Sequence, residues 1–402
     1  MGIISMFPIG VRDSSSVANS KEVNFLDYDG TILYSYTAAE FAALSSMPSN
    51  PTRDGLTAQG WNWSLANAKA YVAEYGKLNI GQMYITDDGK TRIYIHLEEG
   101  RTSPVLGVCP NGTVDIDWGD GTVHDTLTGS NTSTAVYTSA HSYAAPGDYV
   151  IQLTVTGSMG FRIDGLLVYT SNSDNRNKVY RNAIRKVELG SGVTSIGESA
   201  FGSCYSLSSI TIPDGVTSID NGAFGSCCSL SSITIPDGVT SIGNGAFDSC
   251  YSLSSITIPD GVTSIGVYAF YSCYSLSSIT IPDGVTSIGM SAFYCCYSLS
   301  SITIPDGVTS IGESAFDSCY SLSSITIPDS VTSIDNGAFS YCYGIAHLYF
   351  LPTTPPSVSS SNAFSNIPTD CVIHVPVGSL SAYTSATNYP SSSTYTYVED
   401  IV

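Results

Sequence analysis

Lysine and arginine stop at Lys186. All fourteen lie at or before that position, whereas 187–402 carries sixteen aspartates and glutamates, and the 402-residue chain has a formal charge of −20. A surface of that sign repels phosphate backbones, so nucleic acid is excluded as a partner, and anionic bilayers are disfavoured for the same reason. Charge of either sign is scarce, at 12% of residues, about half the ordinary share. No run approaches the ~18 consecutive apolar residues of a transmembrane helix, so membrane insertion is not expected. The opening MGIISMFPIG has no basic residue and is interrupted by Pro8, and it is not read as an export signal. The closing YTYVEDIV holds no hydrophobic anchor. Cysteine never falls in C-x-x-C or Cys/His spacing, so neither zinc nor another cofactor is expected.

What the chain does have is hydroxyls and a period. An apolar content of 43% is enough for packed cores. Abundant Ser, Thr, Gly and Tyr with few charges suggest an extracellular, β-rich surface protein. The phrase SLSSITIPD starts at Ser206, Ser229, Ser252, Ser275, Ser298 and Ser321, at a period of 23 residues. Each unit runs Leu207-x-x-Ile210-x-Ile212-Pro-Asp-Gly-Val216-x-x-Ile219-x-x-x-Ala223-Phe224-x-x-Cys227. Units begin at Ile184, Leu207, Leu230, Leu253, Leu276, Leu299 and Leu322, and a decayed eighth begins at Ile345. Ile210 and Ile212 are two apart, so both face the core of a short strand while Ser209 and Thr211 face out. Pro213-Asp214-Gly215 turns the chain. Val216 and Ile219 return to the core, and Ala223-Phe224 and Cys227 close the coil on a short helical arc. One such turn cannot bury its apolar side, but stacked turns share a continuous core.

These residues resemble the BspA-like leucine-rich repeats, L-x-x-I-x-I-P-x-x-V-x-x-I-G-x-x-A-F-x-x-C, over about 184–380. The resemblance implies a surface protein of bacterial, protist or phage origin that binds host proteins, matrix or other cells. VIHVPVGSLSAYTSA (372–386) is similar to the segment that closes such arrays and is read as the C-terminal cap.

Upstream, W-G-D-G-T (118–122) and H-x-Y-x-x-P-G-x-Y (141–149) resemble a PKD-type β-sandwich over about 82–157, with Trp118 in its core and Asp120-Gly121 in a turn. Asp115, Asp117 and Asp120 miss the spacing of an EF-hand loop, and no metal site is expected there. VNFLDYDGTIL matches the D-x-D-G-T nucleophile motif of haloacid-dehalogenase-type phosphatases, with Asp27 as nucleophile, Asp29 as acid, and Lys77 and Asp87/Asp88 as later motifs. That fold needs several βαβ units between these positions, and the only good helical stretch is 64–75, so a small α+β module is favoured and no enzyme is expected. The fold class is therefore mainly β. A 23-residue leucine-rich-repeat solenoid with short helical arcs occupies 184–344, followed by a degenerate repeat and C-terminal cap over 345–402. Before it come an N-terminal segment (1–20), the α+β module (21–81), the PKD-like β-sandwich (82–157), and a linker and N-terminal cap (158–183). The basic cluster Arg176, Lys178, Arg181, Arg185 and Lys186 offsets the acidic solenoid at that junction.

Seven cysteines (Cys204, Cys227, Cys250, Cys273, Cys296, Cys319 and Cys342) share one repeat position and are read as small core residues with free thiols. Cys228 and Cys295 fall beside that column and are read as the more reactive thiols. Three uniform outward columns exist. The first is the hydroxyl row Ser209, Thr211, Ser232, Thr234, Ser255, Thr257, Ser278, Thr280, Ser301 and Thr303. The second is the turn aspartates Asp214, Asp237, Asp260, Asp283, Asp306 and Asp329. The third is the tyrosine column Tyr251, Tyr274, Tyr297 and Tyr320, with Tyr205 and Tyr343 beyond it. Hydroxyls could hydrogen-bond a repetitive glycan and tyrosines could stack on sugar rings; equally, the hydroxyls keep a sheet wet and the tyrosines pack on each other. Turn propensity accounts for the aspartates. Variation between units concentrates around Ala-Phe, at Asn221, Asp248, Tyr268, Tyr271, Met290, Tyr294, Glu313 and Asp317. Recognition of a particular protein needs chemically distinct neighbours, so this arc is the better candidate surface.

The expected function is a non-enzymatic adhesin or receptor-binding protein on a virion or cell surface, whose solenoid binds a host or bacterial cell-surface protein or glycan. Residues 1–80 are the expected attachment region, through a homo-oligomer or a virion partner such as a phage tail fibre. The alternatives are a structural spacer or oligomer wall and, more remotely, a phosphatase at Asp27/Asp29. Because trypsin cuts after Lys and Arg, 187–402 should survive trypsin as one fragment even when unfolded; a mass spectrum showing tryptic cuts beyond Lys186 would contradict this.

Overall fold

A computed structural model describes residues 2–4, 23–26, 32–49, 56–61, 69, 72–73, 78–86, 89–130, 136–161 and 182–402. The chain divides into two compact units, Met1–Gly89 and Lys90–Val402. In the first, β1 (Gly2–Ile4), β2 (Val23–Leu26), β3 (Ile32–Tyr36), β4 (Leu56–Trp61) and β5 (Leu78–Thr86) form one sheet. Its order is β1-β5-β2-β3, with β4 also on β5. Helix α1 (Ala38–Ala42) starts with a capping box, Thr37 accepting from the Glu40 amide and Glu40 from the Thr37 amide. It delivers Phe41 onto buried Val23 and Phe25. The phosphatase-like residues Asp27, Asp29, Lys77, Asp87 and Asp88 lie outside the described residues, as does most of the helix expected over 64–75.

The second unit opens with β6 (Thr91–Leu97), β7 (Val105–Asp117), β8 (Asp125–Ser130), β9 (Tyr137–Ala140) and β10 (Gly147–Phe161). Strand β10 runs antiparallel to β6 over its first half and to β7 over its second. Gly112 and Gly157 face each other there at φ +126° and +102°, and a Cβ on either would stand 2.1–2.3 Å from the opposite strand's carbonyl oxygen. Only glycine fits so close an approach of the two strands. Trp118 is buried, its Nε1 donates to Asp125 (2.8 Å), and Tyr143 donates to its carbonyl (2.9 Å). Asp115 and Asp117 both face His124, whereas Asp120 bonds His141 and Thr122, so the three carboxylates do not converge.

No break in the core separates this sheet from the repeats. β11 (Ile184–Glu188), the strand of the first repeat unit, pairs antiparallel with β6 and parallel with β13 (Ser209–Thr211), the strand of the second. The end of β10 pairs parallel with β12 (Val193–Ile196), which opens a second row of contacts through Ile219, Ile242, Ile265 and Ile288. Of the basic cluster, Arg176, Lys178 and Arg181 lie outside the described residues, and Lys186 forms a 2.6 Å ion pair with buried Glu188, to which Tyr94 also donates. Beyond 344 the ladder continues through His347–Phe350, Val372–Pro376 and Thr396–Ile401, so the degenerate repeat and cap are further parallel turns.

Every core position read from the repeat is buried: in the unit from Leu207, the leucine, isoleucines, valine, alanine, phenylalanine and cysteine are at most 7% exposed. The arc, however, is not helical. Its amides alternate: Ala223, Gly225 and Cys227 donate three residues back, whereas Gly222, Phe224 and Ser226 donate to Asn244, Ala246 and Asp248 of the next turn. Two residues per arc are left-handed, such as Gly222 (φ +60°) and Ser226 (φ +62°), and this interrupts any helix. The thiols of the buried column are all free, and from Cys227 to Cys342 each donates at 3.1–3.3 Å to the carbonyl of a phenylalanine 26 residues earlier. Phenylalanines 201, 224, 247, 270, 293, 316, 339 and 364 stack in one column at 5.4–5.7 Å. Phe270→Ala, in the middle of this stack, should cost about 3–5 kcal/mol, read as a lower denaturation midpoint of the Lys90–Val402 unit; a change under about 1 kcal/mol would contradict the stack's role.

Candidate functional site

The hydroxyl row lies where the alternation of the strands places it. Ser232, Thr234, Ser255, Thr257, Ser278, Thr280, Ser301 and Thr303 are exposed and aligned by the ladder, with Ser209 and Thr211 half-exposed. The serines one position earlier are spent inside the ladder: Ser254, Ser277 and Ser300 each donate at 3.2–3.3 Å to the serine carbonyl of the preceding turn. The turn aspartates are all exposed, and among the described residues no group of three His, Cys, Asp or Glu is placed to hold a metal ion.

The tyrosine column closes on itself. Tyr251, Tyr274, Tyr297 and Tyr320 stack at 4.7–4.8 Å within 2–6° of parallel, and Tyr343 follows at 5.4 Å. Their inner faces are covered by each other, so the expected stacking of sugar rings on this column has no open face between them.

The arc residues are brought together differently. Asn221 accepts the Asn244 amide (2.8 Å) and Glu313 accepts from the Asn336 side chain (3.1 Å), so both support the edge of the arc. Tyr271 and Tyr294 stack at 4.9 Å and 4°. Tyr268 meets Tyr271 edge-on at 5.6 Å, and its hydroxyl lies 3.6 Å from the sulfur of Met290. Tyr268 and Met290 are 42% and 38% exposed. Tyr268 is also left-handed (φ +60°) where equivalent positions carry Gly222, Gly245 or Gly337; holding a bulky ring there costs about 1–2 kcal/mol.

Asp248 and Asp317 occupy the positions one turn before Tyr271 and one turn after Tyr294. Each is half-buried and accepts a single hydroxyl, from Ser249 (2.9 Å) and Ser318 (2.7 Å). Burial pushes both carboxyls above the ordinary Asp range despite these bonds. Burial, with Cys295 and Asp317 beside it, pushes the Tyr294 hydroxyl up to about 12. The sequence reading missed that Cys295 lies close to both Tyr294 and Tyr297 and helps push both hydroxyls up. Its only signal was the doublet Cys295-Cys296 where five other units carry Ser, and one Tyr341, before the column cysteine. Cys228, expected to be reactive, has its thiol raised by burial and sits 3.5 Å from the Ser226 carbonyl, which disfavours the thiolate.

A raised carboxyl stabilises the fold only while protonated. Its contribution is complete below the unfolded value of 3.8 and is lost as pH rises through the higher folded value. Asp248→Asn should therefore raise the denaturation midpoint at pH 7, with the advantage vanishing below about pH 3.8; unchanged stability across that range would contradict the burial.

The family model described as the BspA type leucine rich repeat region, in six copies, matches residues 175–284 and 263–376. Among solved structures, the chain is similar to a leucine-rich repeat protein of T. pallidum at 29% identity, over 46% of this chain and 82% of that one, with a TM-score of 0.38. It is similar to a leucine-rich cell surface protein of Faecalibacterium prausnitzii A2-165 at 31% identity, over 51% and 64%, with a TM-score of 0.35. Against the pneumococcal vaccine antigen PcpA the identity is 17%, over 54% and 68%, with a TM-score of 0.36. No curated protein matches the chain. The two matched segments together span half of the sequence and coincide with the stacked turns, and the chain belongs to the BspA-type leucine-rich-repeat family.

Proposed function

We propose that this chain is a non-enzymatic binding protein of a cell or virion surface, and that its solenoid engages a surface protein through the variable arc. One observation carries the reading: chemical variety between units is concentrated on the arc, where the chain keeps half-buried carboxylates and a strained, exposed tyrosine at positions that other units fill with Gly or Ser. A purely architectural repeat has no need of them. The uniform hydroxyl, aspartate and tyrosine columns serve the alternative, a rigid spacer, equally well. On the binding reading, the PKD-like module is a spacer built onto the first turn, and residues 1–80 attach the protein to its particle, such as a phage tail.

Full-length chain should bind intact host or bacterial cells, and a form lacking 1–80 should bind equally while failing to enter its particle. Absence of binding to every cell surface tested would leave the spacer; incorporation retained without 1–80 would overturn the attachment role. Phosphatase activity on a generic phosphate ester that disappears in Asp27→Asn would overturn the non-enzymatic reading.

A further inference from the structure

The chemistry of the arc patch narrows the partner that the proposed binding role requires, and the inference rests on that role. Tyr271 and Tyr294 cover each other's inner faces, so each has one face that the other ring does not cover, and both rings are partly exposed. In the column, the place of the next ring on either side is taken by a carboxylate, Asp248 before Tyr271 and Asp317 after Tyr294. One oxygen of each accepts a serine hydroxyl. Neither carboxylate has an ion pair with the chain's own cations among the described residues, and the sequence holds no Lys or Arg after Lys186 to provide one nearby. The same column position is Gly225 in one turn and Ser340 in another, so the arc does not need an acid there to fold. Tyr268 and Met290 extend the patch as an exposed aromatic and thioether edge.

We infer that Asp248, Tyr268, Tyr271, Met290, Tyr294 and Asp317 form a docking site for a basic protein segment, and that an arginine of that segment stacks on a tyrosine face while pairing with the adjacent aspartate. Charge complementarity favours this occupant: the surface beyond Lys186 is acidic throughout, so a cationic partner is steered to it and an anionic one repelled. Arginine suits the site better than lysine, because a planar guanidinium stacks on a ring and bonds a carboxylate in the same plane. Three ladder steps separate the two aspartates, roughly 15 Å, which an extended segment covers in about four or five residues. A neutral glycan could also bond these carboxylates, but it gains nothing from the surrounding field.

The test uses full-length chain and dye-labelled oligoarginine, with an oligolysine of equal length, at about 0.15 M salt to suppress diffuse attraction. Asp248→Asn/Asp317→Asn should weaken oligoarginine binding about tenfold or more, whereas Asp260→Asn/Asp283→Asn, an equal charge change in the exposed turns, should alter it less than about threefold. Both variants should remain folded, since neutralising half-buried Asp248 and Asp317 removes a burial cost and Asp260 and Asp283 are exposed in their turns. Equal weakening by the two variants overturns the site in favour of diffuse charge, and oligolysine binding as tightly as oligoarginine overturns the stacked arginine. Neutral-glycan binding lost in the first variant, with oligoarginine binding unchanged, overturns the basic partner. Cell binding by the unmodified chain that Asp248→Asn/Asp317→Asn leaves intact removes this site alone and leaves the binding role standing; failure of the unmodified chain to bind any cell removes the role itself.

Discussion

A phenylalanine ring can stack on its copy in the next turn only if every other residue of the turn accepts the same advance. From Phe201 to Phe364 the rings stay within about 10° of parallel, so the turns are close copies related by one small translation. The ring spacing differs between columns. Equivalent phenylalanines are 5.4–5.5 Å apart through the central turns, and equivalent tyrosines at the corner entering the strand row are 4.7–4.8 Å apart.

The arc is joined from turn to turn through its backbone. Alternate amides reach the next turn while the others close locally, and two left-handed residues per turn make the alternation possible. The cysteine column contributes here as a donor as well as a core group, since each thiol from Cys227 onward bonds a phenylalanine carbonyl that already accepts a local amide. A stack of this kind must also end. At one end Phe161 lies against Phe201 and the sheet of β6–β10 supplies both rows of partners; at the other, Phe364 meets Tyr389, and Phe350 packs on Tyr383 and Tyr389. Both ends are thus sealed by aromatic residues on turns or strands that depart from the consensus.

Uniformity and function pull apart on this scaffold. Where units are identical, side chains find partners in their own copies: tyrosine on tyrosine, serine hydroxyl on serine carbonyl. Where units differ, residues lose that self-complementarity, and the half-buried aspartates and the left-handed tyrosine are kept at a cost to stability. The self-repulsion of the acidic surface adds to this cost.

The amino-acid order alone determined the period, the inward set Leu-Ile-Ile-Val-Ile-Ala-Phe-Cys and the outward hydroxyl row, because strand alternation and a 23-residue repeat leave each of these one place to go. It also singled out the variable arc by comparison between units. Contacts between turns were decided only in three dimensions. That tyrosine faces are closed, that the arc is a ladder of left-handed turns rather than a helix, and that β10 and β11 run the upstream sheet into the repeats all involve residues 23 or more apart, or a backbone conformation that Ser, Cys and Tyr do not announce. The side-chain pattern along one turn is local and can be read, whereas the stacking of one turn on the next is fixed by the advance that all its columns must share.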